Sequence, residues 1–330
     1  MIVNQTGTKI KKIFEDYDGG LELVEKSLRE LFESNVFLIP LIGRYLIDGG
    51  GKRIRPLFLL ISAKLAGYKG QDHVPLAAVI ESIHTASLLH DDIVDGAELR
   101  RGRSAAHMLW GNQVVVLVGD YLYSNALRKA VSFRNIDIVG ALSQAVTSMT
   151  EGELLQLGKS GDVEIAEEEY FRIASSKTGV LMSSACRIGG ILGGLDPGKT
   201  DALASFGLKA GMTFQVTDDV LDYMAAGDGF GKKLGKDLEE GKITLPLIYL
   251  LRESDATERT EIAKIIENGP SEEGLGRILG LFKKYNVLEK ALGRAEGLLT
   301  EAKAMLDVFE DCPEKQELFT LADYALQREH

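Results

Sequence analysis

The sequence predicts an all-α protein, a single-domain helical bundle around a central cavity. Three observations carry that expectation. Apolar residues recur at spacings of three to four through most of the chain, prolines fall where first helical turns accept them, and no stretch alternates as paired strands do. Near the N-terminus, Leu21, Leu23, Val24, Leu28, Leu31 and Phe32 mark one apolar helical face. Pro56, Pro75, Pro197 and Pro313 each open a predicted helix, because a first-turn residue has no intrahelical use for its N–H. The run Val114–Val118 is β-branched, yet its continuation from Tyr121 to Val131 keeps helical spacing, so it is read as helix. Glycine-rich stretches at 49–51 and 225–235 are read as loops, the second carrying Lys232, Lys233 and Lys236. No solenoid repeat or low-complexity tract interrupts the pattern. The expected organisation is one domain over residues 1–330, with residues 1–18 a loosely attached segment.

Composition narrows the function. With 330 residues, 45% hydrophobic and 26% charged, the chain can wrap one large core and keep a solvated exterior. A net charge of −11 argues against a nucleic-acid partner, since phosphate binding needs a basic field. Two cysteines, Cys186 and Cys312, lie far apart without metal spacing and suit buried thiols in a reducing compartment. The N-terminal stretch has acidic residues where a signal peptide would be apolar, and no later stretch of membrane-spanning length is free of charge. A cytoplasmic location is expected.

Two acidic clusters carry the chemistry. Leu88-Leu89-His90-Asp91-Asp92-Ile93-Val94-Asp95 ends an apolar helical stretch that starts near Val74. Asp91 and Asp95 then share a face with a rise of about 6 Å between them. Carboxylates stacked at a helix C-terminus, where the macrodipole also disfavours anions, call for a compensating cation. Asp218, Asp219 and Asp222 repeat the spacing in the second half of the chain, after Phe214 and Gln215. Facing each other, the two clusters would form a cage of hard oxygen ligands, which points to magnesium. Either cluster alone would read equally well as a solvated helix end. The basic complement tips the balance: Gly49-Gly50-Gly51-Lys52-Arg53-Ile54-Arg55-Pro56 sets three cations beside a glycine loop, and Arg100-Arg101-Gly102 follows the first acidic cluster.

GGGKRIRP, DDIVD followed by RRG, GDYLYS, SKTG, FQVTDDVLD and DLEEGKITLPLI stand in the order and spacing of the trans-prenyl-diphosphate synthase (polyprenyl synthetase) family, and the chain resembles that family from about Gly49 to Leu251. The C-terminal LADYAL is similar to its bacterial medium- and long-chain members, such as the octaprenyl-diphosphate synthases. The resemblance implies an isoprenoid-synthase type of fold with a deep central cavity, and head-to-tail condensation of isopentenyl diphosphate with an allylic diphosphate of the geranyl or farnesyl type. It implies that Asp91, Asp92 and Asp95 hold Mg2+ from one side, and Asp218, Asp219 and Asp222 from the other. It further implies that Lys52, Arg55 and His84 bind isopentenyl diphosphate with Arg101 nearby, and that Arg100, Lys177, Lys232 and Lys242 contact the allylic diphosphate. Thr178 and Gln215 match the polar groups beside the developing cation. His84, seven residues before Asp91, would lie on roughly the same helical face, although without the motif it would read as a core histidine; His90 keeps that structural reading. Lys232 is preferred over Lys233 and Lys236 for its spacing to Lys242. Tyr223 and Gly179 depart from residues common in the family without removing a ligand.

Below Asp91 the small residues Ser87 and Ala86 stand where short-chain members carry bulky ones, which implies a medium-to-long product with a floor lower down, near Ile83 or Tyr123 and Leu127. Two other readings remain open on sequence: a terpene cyclase or head-to-head condensing enzyme, which would lack the Lys52, Arg55 and His84 site, and a non-catalytic regulatory subunit, which would have lost an aspartate motif. The family habit implies a homodimer and a lipid-like product that partitions to membranes.

Overall fold

Helix follows helix through the computed structural model, which describes residues 2–224 and 235–326. The order is α1 (Ile2–Asp16), α2 (Asp18–Leu31), α3 (Leu38–Asp48), α4 (Ile54–Leu65) and α5 (His73–Val94), then an antiparallel hairpin of β1 (Leu99–Arg100) and β2 (Arg103–Ser104). After it come α6 (Ala106–Trp110), α7 (Asn112–Val131), α8 (Ile136–Gly158) and α9 (Glu167–Ala174). A π-helical turn, Ser175–Gly179, leads into α10 (Val180–Leu192) and α11 (Pro197–Met224). The chain closes with α12 (Lys236–Glu239), α13 (Leu245–Glu253), α14 (Ala256–Asn268), α15 (Glu272–Tyr285), α16 (Val287–Met305) and α17 (Pro313–Leu326).

Local chemistry explains the boundaries. The Asn135 side chain accepts from the N–H groups of Asp137 and Ile138 to start α8, and Asp255 and Ser271 cap α14 and α15 in the same way. Pro197 and Pro313 are the first residues of their helices. The valine run lies within α7, where Val115 and Val118 are buried. The two-residue strands were not foreseen from sequence, since a ladder this short has no period to read.

Two buried clusters form the interior, one around Ile42, Phe58, Ile80, Leu122, Leu142 and Phe206, the other around Val216, Val220, Leu247, Ile262, Phe282 and Leu298. α11 feeds both, so its length ties the clusters together. Of the segment expected to be loosely attached, Ile10 and Ile13 are buried and the Tyr17 hydroxyl donates to Glu317 at 2.7 Å. α11 meets α10 and the π-helical turn at close range: a Cβ on Gly211 would lie 2.7 Å from the Cα of Gly179. That approach sets the turn, and Lys177 and Thr178 on it, against the C-terminal half of α11. Among the described residues no helix is long and apolar enough to cross a membrane.

Candidate active site

α5 is buried on most of its surface and delivers the first acidic cluster at its C-terminal end, with Asp91 and Asp92 in the last turn and Asp95 as the residue that caps it. Asp92 is only 4% exposed and accepts a hydrogen bond from Arg100 Nε at 2.8 Å, with a second, short contact from the same guanidinium. The hairpin after α5 thus folds back so that β1 supplies the counter-ion. Asp91 lies in a neighbouring recess with Ser87, Tyr123, Met149, Glu153 and Lys177. Burial pushes its carboxyl up to about 6, Lys177 working against the rise while Glu153 and Asp95 add to it.

The second cluster ends α11. Asp218 is exposed, whereas Asp219 is 3% exposed and accepts from the Tyr170 hydroxyl at 2.6 Å and from Gln215 Nε2 at 2.8 Å. Gln215 in turn accepts from Thr178 Oγ1 at 2.6 Å, which makes one chain of polar groups from the π-helical turn to the acidic cluster. Asp222 accepts from the backbone N–H of Asp237 at 3.1 Å, so α12 folds over the end of α11. Burial, reinforced by Asp237, pushes Asp219 well above the usual carboxylate range; burial and Asp222 push Asp237 up to about 7.

Two lysines join the acidic rims. Lys177 contacts Glu153 at 2.6 Å and Gln156 Oε1 at 2.8 Å, and it lines both the recess of Asp91 and the pocket of Asp219, Asp237 and Lys242. Lys242 contacts Asp95 of the first rim at 3.1 Å and Glu240 at 2.6 Å. Burial opposes the Lys242 charge, but its bonds to Glu240 and Asp95 outweigh burial and hold its pKa above the ordinary lysine value. The acidic clusters therefore belong to adjoining recesses, with Lys177 lining both and Lys242 reaching from the second to Asp95 of the first rim.

A basic pocket opens on the other side of α5. His84, Arg53, Arg100, Arg101, Arg103 and Glu81 line it, with Leu46, Leu88 and Leu89 forming apolar walls. Burial lowers His84 well below the ordinary histidine value, and the guanidiniums of Arg55, Arg101, Arg100 and Arg53 lower it further. Its imidazole is neutral at physiological pH. Arg103 lies 4.1 Å over the Tyr45 ring, and the Tyr45 hydroxyl donates to Ser104 O at 2.7 Å, which pins the hairpin to α3.

The sequence expectations land unevenly. Asp91, Lys177 and Ser87 share one recess; Lys177, Gln215, Asp219 and Lys242 share the next; His84, Arg100 and Arg101 share the basic pocket. His84 and Asp91 stand on one rib of α5, nearly two turns apart, but that rib divides the two sites and the side chains serve opposite sides. Lys52 turns away from the basic pocket, donates to the Tyr324 hydroxyl and lies 5.1 Å over its ring, in a groove beside α1 and α2. Ala86 is fully buried in the core, whereas Ser87 lines the recess. Lys232 and Lys233 lie outside the described residues, and Lys236 pairs with Glu240 at 2.9 Å. Tyr223 is packed edge-on against Phe282, a core role. The sequence placed Arg53 among the three cations of the glycine turn without assigning it to a site, and passed over Glu81 and Arg103 in the basic pocket and Glu153, Gln156, Tyr170, Asp237 and Glu240 near the acidic rims. Glu81 had a usable signal, three residues before His84 on the same helical face.

The donor set suits a hard divalent cation. Its proposed ligands are carboxylates, and burial and like charges push Asp91, Asp219 and Asp222 above the ordinary carboxylate range, a strain that a bound cation relieves. Among the described residues no three His, Cys, Asp or Glu side chains are gathered tightly enough to hold a metal by themselves. Such a spread fits an ion that takes part of its shell from an anionic ligand and water rather than from an all-protein cage.

A family model described as polyprenyl synthetase matches residues 38–279. The chain is 40% identical over 306 residues to the octaprenyl diphosphate synthase of Escherichia coli K12, covering 93% of this chain and 95% of that one. It is also similar to a solved decaprenyl diphosphate synthase from Rhodobacter capsulatus (TM-score 0.92, 37% identity, 97% of this chain and 100% of that one). A third likeness is to a polyprenyl synthase from Caulobacter crescentus CB15, solved with calcium and isoprenyl diphosphate (TM-score 0.91, 36% identity, 97% and 98% covered).

Proposed function

The chain belongs to the polyprenyl synthetase family, and from that premise we propose that it adds isopentenyl diphosphate head-to-tail to an allylic diphosphate, with magnesium, to make a medium-to-long all-trans polyprenyl diphosphate. The observation that carries the proposal is the pair of acidic rims on adjoining recesses, linked by Lys177 and Lys242, beside a basic pocket that Asp92 and Arg100 also line. A two-substrate reaction between diphosphates needs two anion sites, one able to strip its occupant of diphosphate and one able only to hold it.

Asp91, Asp92 and Asp95, with Asp218, Asp219 and Asp222, would hold magnesium at the first site, where the metal supplies Lewis-acid stabilisation of the departing diphosphate. Lys177, Lys242 and Arg100 would share that negative charge, each released from its present carboxylate partner. Thr178 and Gln215 would turn oxygen dipoles toward the allylic cation. Neutral His84 with Arg55 and Arg101 would orient isopentenyl diphosphate, a gain from positioning rather than from acid–base work by the protein. Lys52 would have to swing from Tyr324 to join them. The solved Caulobacter synthase, with calcium and isoprenyl diphosphate, supports a divalent ion and a diphosphate ligand here. Exposed Met108, Leu109 and Leu117 on α6 and α7 support a homodimer, and the product, if long, would leave for a membrane.

The test is incubation of the purified protein with labelled isopentenyl diphosphate, geranyl or farnesyl diphosphate and Mg2+, followed by mass analysis. Expected are polyprenyl diphosphates of several added units and loss of product on thorough chelation, restored by Mg2+. Product that excludes the label, or synthesis that survives chelation, would overturn the proposal.

A further inference from the structure

The basic pocket holds two buried carboxylates among its guanidiniums: Asp92, which pairs with Arg100, and Glu81, 3% exposed, which no sequence motif accounts for in a place expected to bind an anion. Glu81 Oε1 accepts from Arg53 Nη1 at 3.0 Å. Arg53 itself has a left-handed backbone (φ 49°, ψ 36°), and Arg101, across the pocket, does too (φ 52°). Non-glycine residues seldom hold this conformation unless their surroundings enforce it. Among the described residues only four non-glycines have positive φ, and two of them face this one pocket. Gly51 makes the room: a Cβ there would lie 2.9 Å from both Arg53 Nη1 and Arg101 Nη1. The glycine turn thus brings two like charges together, and Glu81 is the carboxylate that bonds one and faces the other.

Arg53 also carries a buried Nε with no acceptor in the protein. A guanidinium held by one nitrogen and left with a buried donor is prepared for an oxygen arriving with a ligand. We infer that Arg53 is a further diphosphate-binding residue of the isopentenyl-diphosphate pocket and that Glu81 is its positioning residue, fixing the left-handed turn from Gly50 to Arg53. The inference rests on the function proposed above for that pocket. Without Glu81, repulsion from Arg101 would turn Arg53 toward solvent, and its Nε donor would leave the pocket with it.

Steady-state kinetics and calorimetric titration with isopentenyl diphosphate test the pair. Glu81→Gln and Arg53→Gln should each raise the isopentenyl-diphosphate KM and Kd about tenfold, roughly 1.4 kcal/mol. The KM of the allylic substrate should stay within about twofold. The double variant should be no worse than either single one, because both changes remove the same interaction. Glu81→Asp should recover part of the loss. If Glu81 acted only as a nearby negative charge, removing it would tighten binding of the anion; that result, or equal rises in both KM values, overturns the inference. Should the glutamine variants fail to fold, Arg53→Lys keeps the buried charge pair but removes the planar group and its Nε donor. It should raise the isopentenyl-diphosphate KM several-fold, and an unchanged value overturns the inference. Parent protein that does not bind isopentenyl diphosphate defeats the functional proposal itself, whereas parent and variants binding equally defeat only the roles of Arg53 and Glu81.

Discussion

Ser87 stands one turn below Asp91 on α5, and its small side chain leaves the wall of that recess to Tyr123 and Met149. If the growing chain descends past Asp91, it passes Ser87 first. Ser87→Phe should shorten the product distribution by one or more isoprene units while isopentenyl-diphosphate consumption continues, as read by reversed-phase chromatography of the dephosphorylated products; unchanged lengths would mean that the chain takes another route. Sequence made these residues legible where a role follows from spacing alone. Asp91 and Asp95 announce a shared face, and the repeat at Asp218 and Asp222 announces a second. It concealed those whose role depends on backbone handedness. Arg53 is one of three cations in its motif, and only the left-handed turn separates its direction from that of Lys52, which leaves for Tyr324. Glu81 was harder to read: its spacing from His84 marks the face, but a glutamate on a helix ordinarily faces solvent, and its bond to Arg53 depends on the turn before α4.

At the scale of elements, helical periodicity identified the α-helices but could not distinguish the π-helical turn at Ser175–Gly179, which differs from its neighbours by one residue per hydrogen bond and not by composition. Its position depends on α11. A Cβ at Gly211 would lie 2.7 Å from a backbone atom, Gly179 Cα, that cannot rotate away, so Gly211→Ala must push α11 and the turn apart. Overpacking of this kind costs about 1–3 kcal/mol. The melting temperature should fall by several degrees, and kcat/KM should fall by more than the stability loss explains, because Lys177 and Thr178 ride on the displaced turn. A variant melting like the parent would show slack between the helices. The α14–α15 pair offers a pH test. Glu258 of α14 accepts from Lys284 Nζ at 2.7 Å and from the Tyr285 hydroxyl at 2.5 Å, and these bonds hold its carboxyl below the ordinary glutamate value. A depressed folded-state pKa stabilises the fold above the unfolded value of 4.5 and loses that contribution as pH falls through the folded one. Glu258→Gln should therefore lower the melting temperature at pH 7 and make little difference near pH 3; a gap that persists in acid would assign the effect to packing instead.

At the scale of the whole molecule, a surface on α6 and α7 connects through internal contacts to the recess of Asp91. α6 and α7 expose Met108, Leu109 and Leu117, the last 67% exposed, as Phe37, Leu99 and Ile136 are exposed elsewhere. A second copy of the chain would cover this surface in the proposed homodimer. The face is joined to the chemistry by a short path: His90 Nε2 lies 3.2 Å from the carbonyl oxygen of Val116 on α7, its ring sits 5.7 Å from that of Tyr123, and the next residue on α5 is Asp91. Gly119 permits the contact, since a Cβ there would lie 2.3 Å from the His90 ring. Packing α7 against a partner would thus hold the helix that walls the recess of Asp91 and steadies the end of α5. Leu117→Arg places a charge on that face without altering the site's own residues. It should convert the protein to a monomer by sedimentation or light scattering, and reduce kcat several-fold with the fold intact by circular dichroism, because Tyr123 and His90 lose their support. A variant that stays dimeric would move the interface elsewhere. A folded monomer with full activity would separate assembly from catalysis and leave the α5–α7 contact as internal packing alone.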